Sequence, residues 1–307
     1  MPTTPHAPSS RTGRSTAVVA GLTALTLGLA SCGDNGDNGG DGTDEPIRIG
    51  VTNQDETNQE FAELAQEELG LEVEIVNFGD YNQPNPALAN GDLDANWFQH
   101  IAYLADYNVN NDDDLTMVAT TEAVPLPLYS EEYDDVEEFQ DGDTVAIPND
   151  EINQARAILM LAAADLLELT EDVPQPRPSD IDEEASLVEV EPIDAAQTVN
   201  ALQSVEGSVI NNSFANDAGL NPQADALTQD DPEDAEAFPY SNGFVVRAED
   251  SEDEQLRELF ELYHDERILE SAQEVSGGTS VPVDAPFEEI QEASEEYEDF
   301  LAGEDDQ

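Results

Sequence analysis

The densest group of side chains that could bind a small solute lies between Asp80 and Leu104. Aromatic rings and hydrogen-bonding groups gather there around the end of one predicted strand. They are Tyr81, Trp97, Phe98, Gln99, His100 and Tyr103. Ligands of open α/β sheets bind beyond the carboxyl ends of the strands, so this group indicates a binding site. The alternative is an ordinary helix, turn and strand with aromatic core residues, and spacing alone leaves both open.

A second candidate is Arg156, an isolated basic residue in the middle of the chain. It falls in the first turns of a helix predicted over 152–169, which Asn149 or Asp150 can cap. The helix dipole disfavours a cation there, so a compensating group is expected. Arg156 is then either a surface salt bridge to Glu151 or Asp150, or a donor fork for a ligand carboxylate.

Catalytic and metal chemistry have weaker support in the sequence. The chain has three histidines and one cysteine, too few and too scattered for a zinc site. It contains no G-x-S-x-G motif, P-loop or dinucleotide fingerprint. His100, Tyr103 and Asp94 could form an acid–base set, but nothing places a nucleophile beside them. We therefore expect no enzymatic activity, no cofactor and no metal.

The elements that position these residues alternate between strands and helices. A strand over 47–52 precedes a helix and a second strand over 72–78, which predicts a parallel sheet with crossover helices. Further strands are predicted over 92–98, 144–148, 186–190 and 207–215, and helices over 193–202 and 288–301. Pro125 and Pro127 interrupt the apolar stretch 115–129, so the chain is expected to leave the first lobe there.

The pieces DY, PN, AL, GDLDAN, FQH and YL of residues 80–104, in this order and spacing, resemble the methionine-binding lipoprotein family (MetQ/NlpA). The resemblance extends over roughly residues 47–278. Members are solute-binding components of methionine ABC importers. The resemblance implies a two-lobed α/β periplasmic-binding-protein fold of type II, in which each lobe is a mostly parallel sheet flanked by helices. It also implies a division into lobe 1 (46–124 and 238–302), lobe 2 (125–237) and a tail (303–307).

The resemblance also implies roles for individual residues. PNDEINQAR matches the family pattern whose arginine binds the amino acid carboxylate, which is Arg156 here. The VIN-aromatic segment implies a contact from Asn211, although a simple turn is the alternative there, and the PY-x-N segment implies one from Asn242. The slot for an apolar or sulfur side chain would be lined by Tyr81, Phe98, a neutral His100 and Tyr103. Sulfur against aromatic rings is favourable, so the set suits methionine.

Two departures from the family pattern concern the slot. Glu122-Ala123-Val124 stands where several relatives carry further aromatic residues, and Trp97 replaces a residue that is often small. Both could change the size or charge of the slot. D-methionine, a methionine-containing dipeptide or another small amino acid therefore compete with L-methionine as the ligand. A surface antigen or adhesin with a degenerate site is a further alternative, against which the intact Arg156, Asn211 and Asn242 set argues.

The net charge of the chain limits which molecules can bind it directly. There are 72 acidic residues against 8 basic ones, all arginine, and the net charge is −64. Such a surface repels nucleic acid phosphates and anionic lipid headgroups, which excludes both as direct partners. At 1 M salt the Debye length is only about 3 Å. Because periodic apolar segments argue against disorder, we expect a folded protein with a halophilic acidic surface.

Residues 1–31 are typical of a secretory signal peptide. Arg11 and Arg14 precede an apolar stretch, 16–30, that is too short to span a membrane. Leu29-Ala30-Ser31-Cys32 resembles the lipobox of bacterial lipoproteins, in which the cysteine is acylated, with a palmitate for example, and becomes the mature N-terminus. A plain signal with an incidental cysteine is the alternative.

Residues 33–45, rich in Gly and Asp, complete a flexible tether that starts at Cys32. The sequence thus predicts a protein anchored by lipid on the extracytoplasmic face of the cell membrane. An ABC permease and its ATPase are the expected protein partners.

Overall fold

A computed structural model describes residues 45–304 of the chain. The signal segment, the acylation site expected at Cys32 and almost all of the tether lie outside the described residues, as do residues 305–307. Within 45–304 no helix combines the length and the apolar character needed to cross a membrane.

The strands of the described residues form two separate sheets. The first sheet contains β1 (Ile47–Thr52), β2 (Val73–Phe78), β3 (Ala95–His100), β4 (Thr116–Ala123), β10 (Ser241–Val246) and β11 (Val281–Pro282). The second contains β5 (Pro127–Tyr129), β6 (Asp143–Pro148), β7 (Val188–Ile193), β8 (Gly207–Val209) and β9 (Thr228–Gln229). The strand orders are β11-β4-β10-β3-β1-β2 and β7-β6-β8-β5-β9.

Helices cover each sheet and complete two lobes. Lobe 1 is the first sheet with α1 (Glu56–Glu68), α2 (Pro84–Ala89), α3 (Ile101–Asn111), α8 (Glu254–Glu261), α9 (Glu266–Val275) and α10 (Phe287–Glu304). Lobe 2 is the second sheet with α4 (Glu151–Ala163), α5 (Thr198–Ala201), α6 (Asn212–Asp217) and α7 (Pro222–Asp225). Helix α10 therefore includes the first two residues of the segment that the sequence suggested as a tail.

Both sheets are mixed, whereas the sequence analysis expected mostly parallel ones. Strand β1 pairs in parallel with β2 and β3, and β6 pairs in parallel with β7 and β8. The antiparallel pairs all involve β5, β10 or β11. Strands β5 and β10 bring the chain in from the other lobe. They therefore enter their sheets at the edge where the parallel strands end, and run in the opposite direction.

Local sequence explains where several elements begin and end. Asp55 caps α1 and Asp150 caps α4, each accepting a hydrogen bond from a backbone N–H of the first turn. Helix α4 ends at Ala163, before the predicted end at residue 169, and Asp165 then adopts a left-handed conformation with φ of 59°. Strand β8 ends at Val209, earlier than predicted, because the next residues begin helix α6. The helix predicted over 193–202 is a 3-10 turn followed by the short α5.

The core of lobe 1 is aromatic. Phe244 stacks on Phe260 with ring centroids 4.3 Å apart, and Trp97 lies 4.9 Å from Phe244. The apolar residues of α8 and of the turn after it are also buried in this core, namely Leu256, Leu259, Phe260 and Tyr263. Lobe 2 has a separate, largely aliphatic core to which β5, β6, β8 and α4 contribute.

Two strand edges meet at the cleft between the lobes. In lobe 1, β1, β3 and β4 end at the edge where the antiparallel β10 begins. In lobe 2, β6 and β8 end where β5 begins. Side chains join the edges: the hydroxyls of Tyr81 and Ser213 lie 2.7 Å apart, and His100 Nε2 lies 3.4 Å from Asn153 Oδ1. The residues that follow these strand ends therefore face one another.

Candidate functional site

A cavity of about 120 Å³ lies between the lobes. A single water needs about 10–15 Å³, so the cavity admits a solute of several non-hydrogen atoms. All seven residues that the sequence analysis proposed as ligand contacts line it. They are Tyr81, Phe98, His100, Tyr103, Arg156, Asn211 and Asn242.

Arg156 is buried in the wall of this cavity, with 6% of its surface exposed. Its Nε donates to Asp230 Oδ2 at 2.5 Å, and its Nη2 donates to Val124 O at 2.9 Å. The ring of Tyr240 lies 4.6 Å from the guanidinium carbon. Of the two alternatives predicted for Arg156, the surface salt bridge to Glu151 or Asp150 is therefore wrong.

Asp230 provides the compensation that the helix dipole requires for this cation. It contacts the Nε–Nη2 edge of the guanidinium, and its Oδ1 also accepts a hydrogen bond from Leu126 N at 2.7 Å. The Nη1 of Arg156 makes no hydrogen bond to any residue between 45 and 304. Nη2 already donates to Asp230 Oδ1 and to Val124 O, so Nη1 is the part of the guanidinium that can donate to a solute carboxylate.

Amide groups of the two lobes supply further polar contacts. Asn211 is 8% exposed, and its Oδ1 has no hydrogen-bond partner in the described part of the chain. The Nδ2 of Asn212 likewise has none, while its Oδ1 accepts from Asn216 at 2.6 Å. Buried polar atoms are normally satisfied, so an unpaired acceptor and an unpaired donor at a cavity wall indicate a ligand. Asn242 approaches from β10, opposite His100 in the register of β3.

The aromatic slot is built around Tyr81. Its ring lies 5.8 Å from Phe98, 6.0 Å from Tyr103 and 4.9 Å from Phe214 of lobe 2. Burial raises the pKa of the Tyr81 and Tyr103 phenols, which therefore remain neutral. The slot offers ring faces and edges to a flexible apolar or sulfur-containing side chain.

His100 is a neutral part of the wall. The backbone N–H of Tyr103 donates to its Nδ1 at 3.1 Å, so the ring proton is on Nε2, which faces Asn153 Oδ1. Burial, together with the nearby charge of Arg156, lowers the pKa of His100 to about 3. The imidazole therefore does not titrate at physiological pH, in agreement with its predicted neutral role.

Several residues of the site were not predicted from the sequence. Asp230, Asn153, Ser213 and Tyr240 contact predicted site residues, yet each is distant in sequence from its partner. Gln99 was part of the initial group, but its side chain bonds Asn85 and Asn96 in a buried network. The PY-x-N pattern contained Tyr240, and an acidic residue opposite Arg156 was expected only in general terms.

The acid–base alternative is not assembled in the structure. Asp94 bonds the backbone of Arg48 and lies 3.4 Å from that guanidinium. It does not line the cavity with His100 and Tyr103. The cavity instead combines a cationic end, free amide groups and an aromatic slot, with walls from two lobes. This arrangement defines a two-lobed solute-binding protein.

The comparison with known families agrees with that class. A family model described as "NlpA lipoprotein" matches residues 47–284. The chain belongs to the NlpA lipoprotein family, as the motifs of residues 80–104 indicated.

Known relatives match along most of their length. The D-methionine-binding lipoprotein MetQ of Escherichia coli K12 is 34% identical over 242 residues, covering 76% of this chain and 87% of that protein. Outer membrane lipoprotein 2 of Mannheimia haemolytica is 33% identical, covering 76% and 84%. A nutrient binding protein from Burkholderia cenocepacia, solved bound to methionine, has a TM-score of 0.72 and 30% identity, covering 77% of this chain and 99% of that one. The fold expected from the sequence is thus confirmed.

Proposed function

We propose that this protein is the solute-binding component of an ABC importer and that it binds methionine between its lobes. The observation that carries the proposal is the combination, in one cavity, of the free end of Arg156, the unpaired Asn211 amide oxygen and the aromatic slot around Tyr81. A solute with a carboxylate, an ammonium and a flexible apolar side chain satisfies all three. The names of several relatives include methionine.

Each part of methionine has a counterpart in the cavity. The carboxylate would accept hydrogen bonds from Nη1 of Arg156, while the ammonium would donate to Asn211 Oδ1. The thioether would lie between the rings of Tyr81, Phe98 and Tyr103, where sulfur–aromatic contacts contribute about 0.3–1.5 kcal/mol. Both enantiomers can present these three groups, and relatives are named for the D form.

The first test is a calorimetric titration of the purified protein with L-methionine, D-methionine and norleucine at high salt. We expect one molecule of methionine per chain, bound more tightly than norleucine, which lacks the sulfur atom. Leucine and glutamate serve as controls for shape and charge. Absence of binding by both methionine enantiomers would refute the proposal.

The proposal includes an anchor and a partner. Acylated Cys32 would hold the protein at the extracytoplasmic face of the cell membrane, and the closed lobes would dock on a permease driven by its ATPase. Cys32 lies outside the described residues, so its role rests on the lipobox resemblance. Cys32→Ala should move the protein from the membrane fraction to the soluble fraction. A variant that still sediments with membranes would contradict lipid anchoring.

A further inference from the structure

Within residues 45–304 the chain passes between the lobes twice. The first crossing, residues 124–126, follows β4 and leads into β5. The second crossing, residues 230–234, follows β9 and leads into the 3-10 turn before β10. These two short segments are the backbone links between the lobes in the described part of the chain. A change in the angle between the lobes must therefore bend both of them.

One pair of side chains joins the two crossings. Asp230 is the first residue of the second crossing, and its Oδ1 accepts a hydrogen bond from Leu126 N of the first crossing at 2.7 Å. Arg156 donates from Nη2 to Val124 O at 2.9 Å and from Nε to Asp230 Oδ2 at 2.5 Å. The Asp230 carboxylate thus contacts the first crossing and the guanidinium together, and the guanidinium contacts both crossings.

These contacts fix the orientation of the Arg156 guanidinium. Asp230 occupies its Nε–Nη2 edge, and Val124 O accepts a further hydrogen bond from Nη2. The ring of Tyr240 lies 4.6 Å from the guanidinium carbon and covers one face. Because the guanidinium is planar and rigid, fixing Nε and Nη2 also fixes the direction of Nη1. Nη1 is the donor left for a ligand carboxylate within residues 45–304.

The pair of Arg48 and Asp94 shows that an arginine–aspartate contact alone does not create such an arrangement. Asp94 also bonds a backbone N–H, that of Arg48, and its carboxylate lies 3.4 Å from the guanidinium. Both side chains are more exposed, at 37% and 34%, and neither lines the cavity. Exposed ion pairs contribute little to structure, whereas a buried guanidinium held along one edge keeps one orientation.

We propose that Asp230 is a positioning residue of the binding site: it holds Arg156 against both crossings and so orients Nη1 toward the carboxylate of the ligand. The inference rests on the proposed function, because the ligand must present a carboxylate to Arg156. Selectivity for a carboxylate over a neutral group of the same shape then depends on Asp230, although Asp230 itself does not contact the ligand.

A positioning role and a purely electrostatic role of Asp230 predict opposite results for Asp230→Asn. If Asp230 only neutralised Arg156, its loss would strengthen the attraction between the guanidinium and a ligand carboxylate. In a positioning role its loss weakens carboxylate binding. The amide of asparagine offers one acceptor oxygen instead of two, and its N–H₂ group repels the N–H donors of Arg156.

The test compares L-methionine with L-methioninamide, which keeps the ammonium and the thioether but has a neutral carboxamide. Calorimetric titrations at pH 6.5 keep both ammonium groups protonated, since the usual pKa of an α-amino group is about 7.7–8.0. We expect the wild-type protein to bind methionine about ten- to a hundredfold more tightly than the amide. Asp230→Asn should lower this affinity ratio by about fivefold or more, mainly through weaker binding of methionine.

Two further variants complete the experiment. Asp230→Glu keeps the charge but moves the carboxylate by one methylene group, so its ratio should lie between those of the wild type and Asp230→Asn. Asp94→Asn is the matched control, because it removes the same charge from an arginine–aspartate pair outside the cavity. Its ratio should equal that of the wild type.

The outcomes separate the inference from the proposed function. A ratio in Asp230→Asn that equals or exceeds the wild-type ratio overturns the inference, even if both ligands bind more weakly, while methionine binding by the wild type remains. If unfolding curves show that Asp230→Asn does not fold, a wild-type ratio in Asp230→Glu overturns it instead. A wild-type protein that binds neither L-methionine nor its amide overturns the proposed function and the inference with it.

Discussion

The two ends of the cavity treat charge in opposite ways. At the lobe-2 end, Arg156 is already paired with Asp230 and also donates to Val124 O, so that Nη1 is the part left for a ligand within residues 45–304. At the lobe-1 end, Glu122 lines the same cavity, accepts a hydrogen bond from the Ser280 hydroxyl, and has its pKa raised to about 7 by burial. A carboxylate partner thus keeps the cation charged at one end, whereas burial favours the neutral form of the acid at the other. The first end can therefore receive a ligand carboxylate, and burial opposes a full negative charge at the second.

The largest expected effect is that of Arg156→Ala. It removes the carboxylate contact and leaves Asp230 partly buried without its partner. We expect methionine affinity to fall by about ten- to a hundredfold or more, and stability to fall as well. Arg156→Lys should restore only part of the affinity, because one ammonium cannot replace the separate N–H groups that contact Asp230, Val124 O and the ligand.

Arg177→Ala is the matched control for this variant. Arg177 pairs with Glu151 at 3.6 Å, and both side chains are 57% exposed. Its removal should leave affinity unchanged and cost at most about 1 kcal/mol of stability. Calorimetric affinities and unfolding midpoints, measured for both variants, show whether Arg156 belongs to the binding site. Equal methionine affinity in Arg156→Ala and wild type would contradict the site assignment.

A smaller effect is expected where the lobes touch outside the cavity. Gly277 of lobe 1 has φ of 63°, and a Cβ there would lie 2.4 Å from the Asn221 side chain of lobe 2. Asn221 cannot turn away freely because its Oδ1 caps α7. Gly277→Ala should hold the lobes apart, so that residues of both lobes can no longer contact one ligand. The variant should therefore bind methionine several-fold more weakly.

Gly219→Ala controls for backbone strain. Gly219 has φ of 76°, but a Cβ there would have no atom within 4 Å, so its variant shares the strain without the clash. The double variant Gly277→Ala/Asn221→Ser should recover affinity, since serine is shorter yet still caps the helix. If both single alanine variants bind methionine equally, contact between the lobes at Gly277 does not limit closure.

The burial of Glu122 predicts a dependence of stability on pH. Its pKa is raised from 4.5 to about 7 in the folded protein, so folding favours the protonated form. The stabilisation is complete below pH 4.5 and is lost as pH rises through about 7. Glutamine is neutral at every pH. The stability of Glu122→Gln relative to wild type should therefore rise from pH 4.5 to about 7 and stay constant at higher pH. A constant difference across the range, measured by denaturant unfolding without ligand, would show that folding does not raise the pKa of Glu122.

A rise in salt concentration should reduce repulsion among the exposed carboxylates of the surface and have little effect on the buried carboxylates of the cavity. Between 0.1 and 1 M salt the Debye length falls from about 10 to about 3 Å, which relieves repulsion among exposed acids. With a net charge of −64, the melting temperature should rise across this range. The Arg156–Asp230 pair is buried and should respond little. A melting temperature that does not change with salt concentration would contradict adaptation of the surface to salt.

Local patterns in the sequence predict much of the fold and site, whereas contacts between distant segments determine the rest. The aromatic residues near His100 and the cap of α4 follow from short segments, so sequence reasoning could find both, while the ligand contacts themselves stay a prediction. The partner of Arg156 lies 74 residues away, and no spacing rule finds it. The mixed sheets depend on how the chain passes between lobes.

Asn211 shows where the prediction from sequence was incomplete. The turn and the ligand contact were treated as alternatives, yet Asn211 precedes α6 as its N-cap residue and leaves its side-chain oxygen unpaired within the described residues. One residue therefore fits both interpretations. The position of Glu122 was recognised as a departure from the family pattern, but only the structure places it in the wall of the same cavity as Arg156.

The most direct test of the central claim is a crystal structure of the protein with L-selenomethionine, whose selenium is located by anomalous scattering. We expect one anomalous peak among the rings of Tyr81, Phe98 and Tyr103, with the ligand carboxylate on Nη1 of Arg156. A selenium peak beside Glu122, or a carboxylate bound away from Arg156, would contradict this claim.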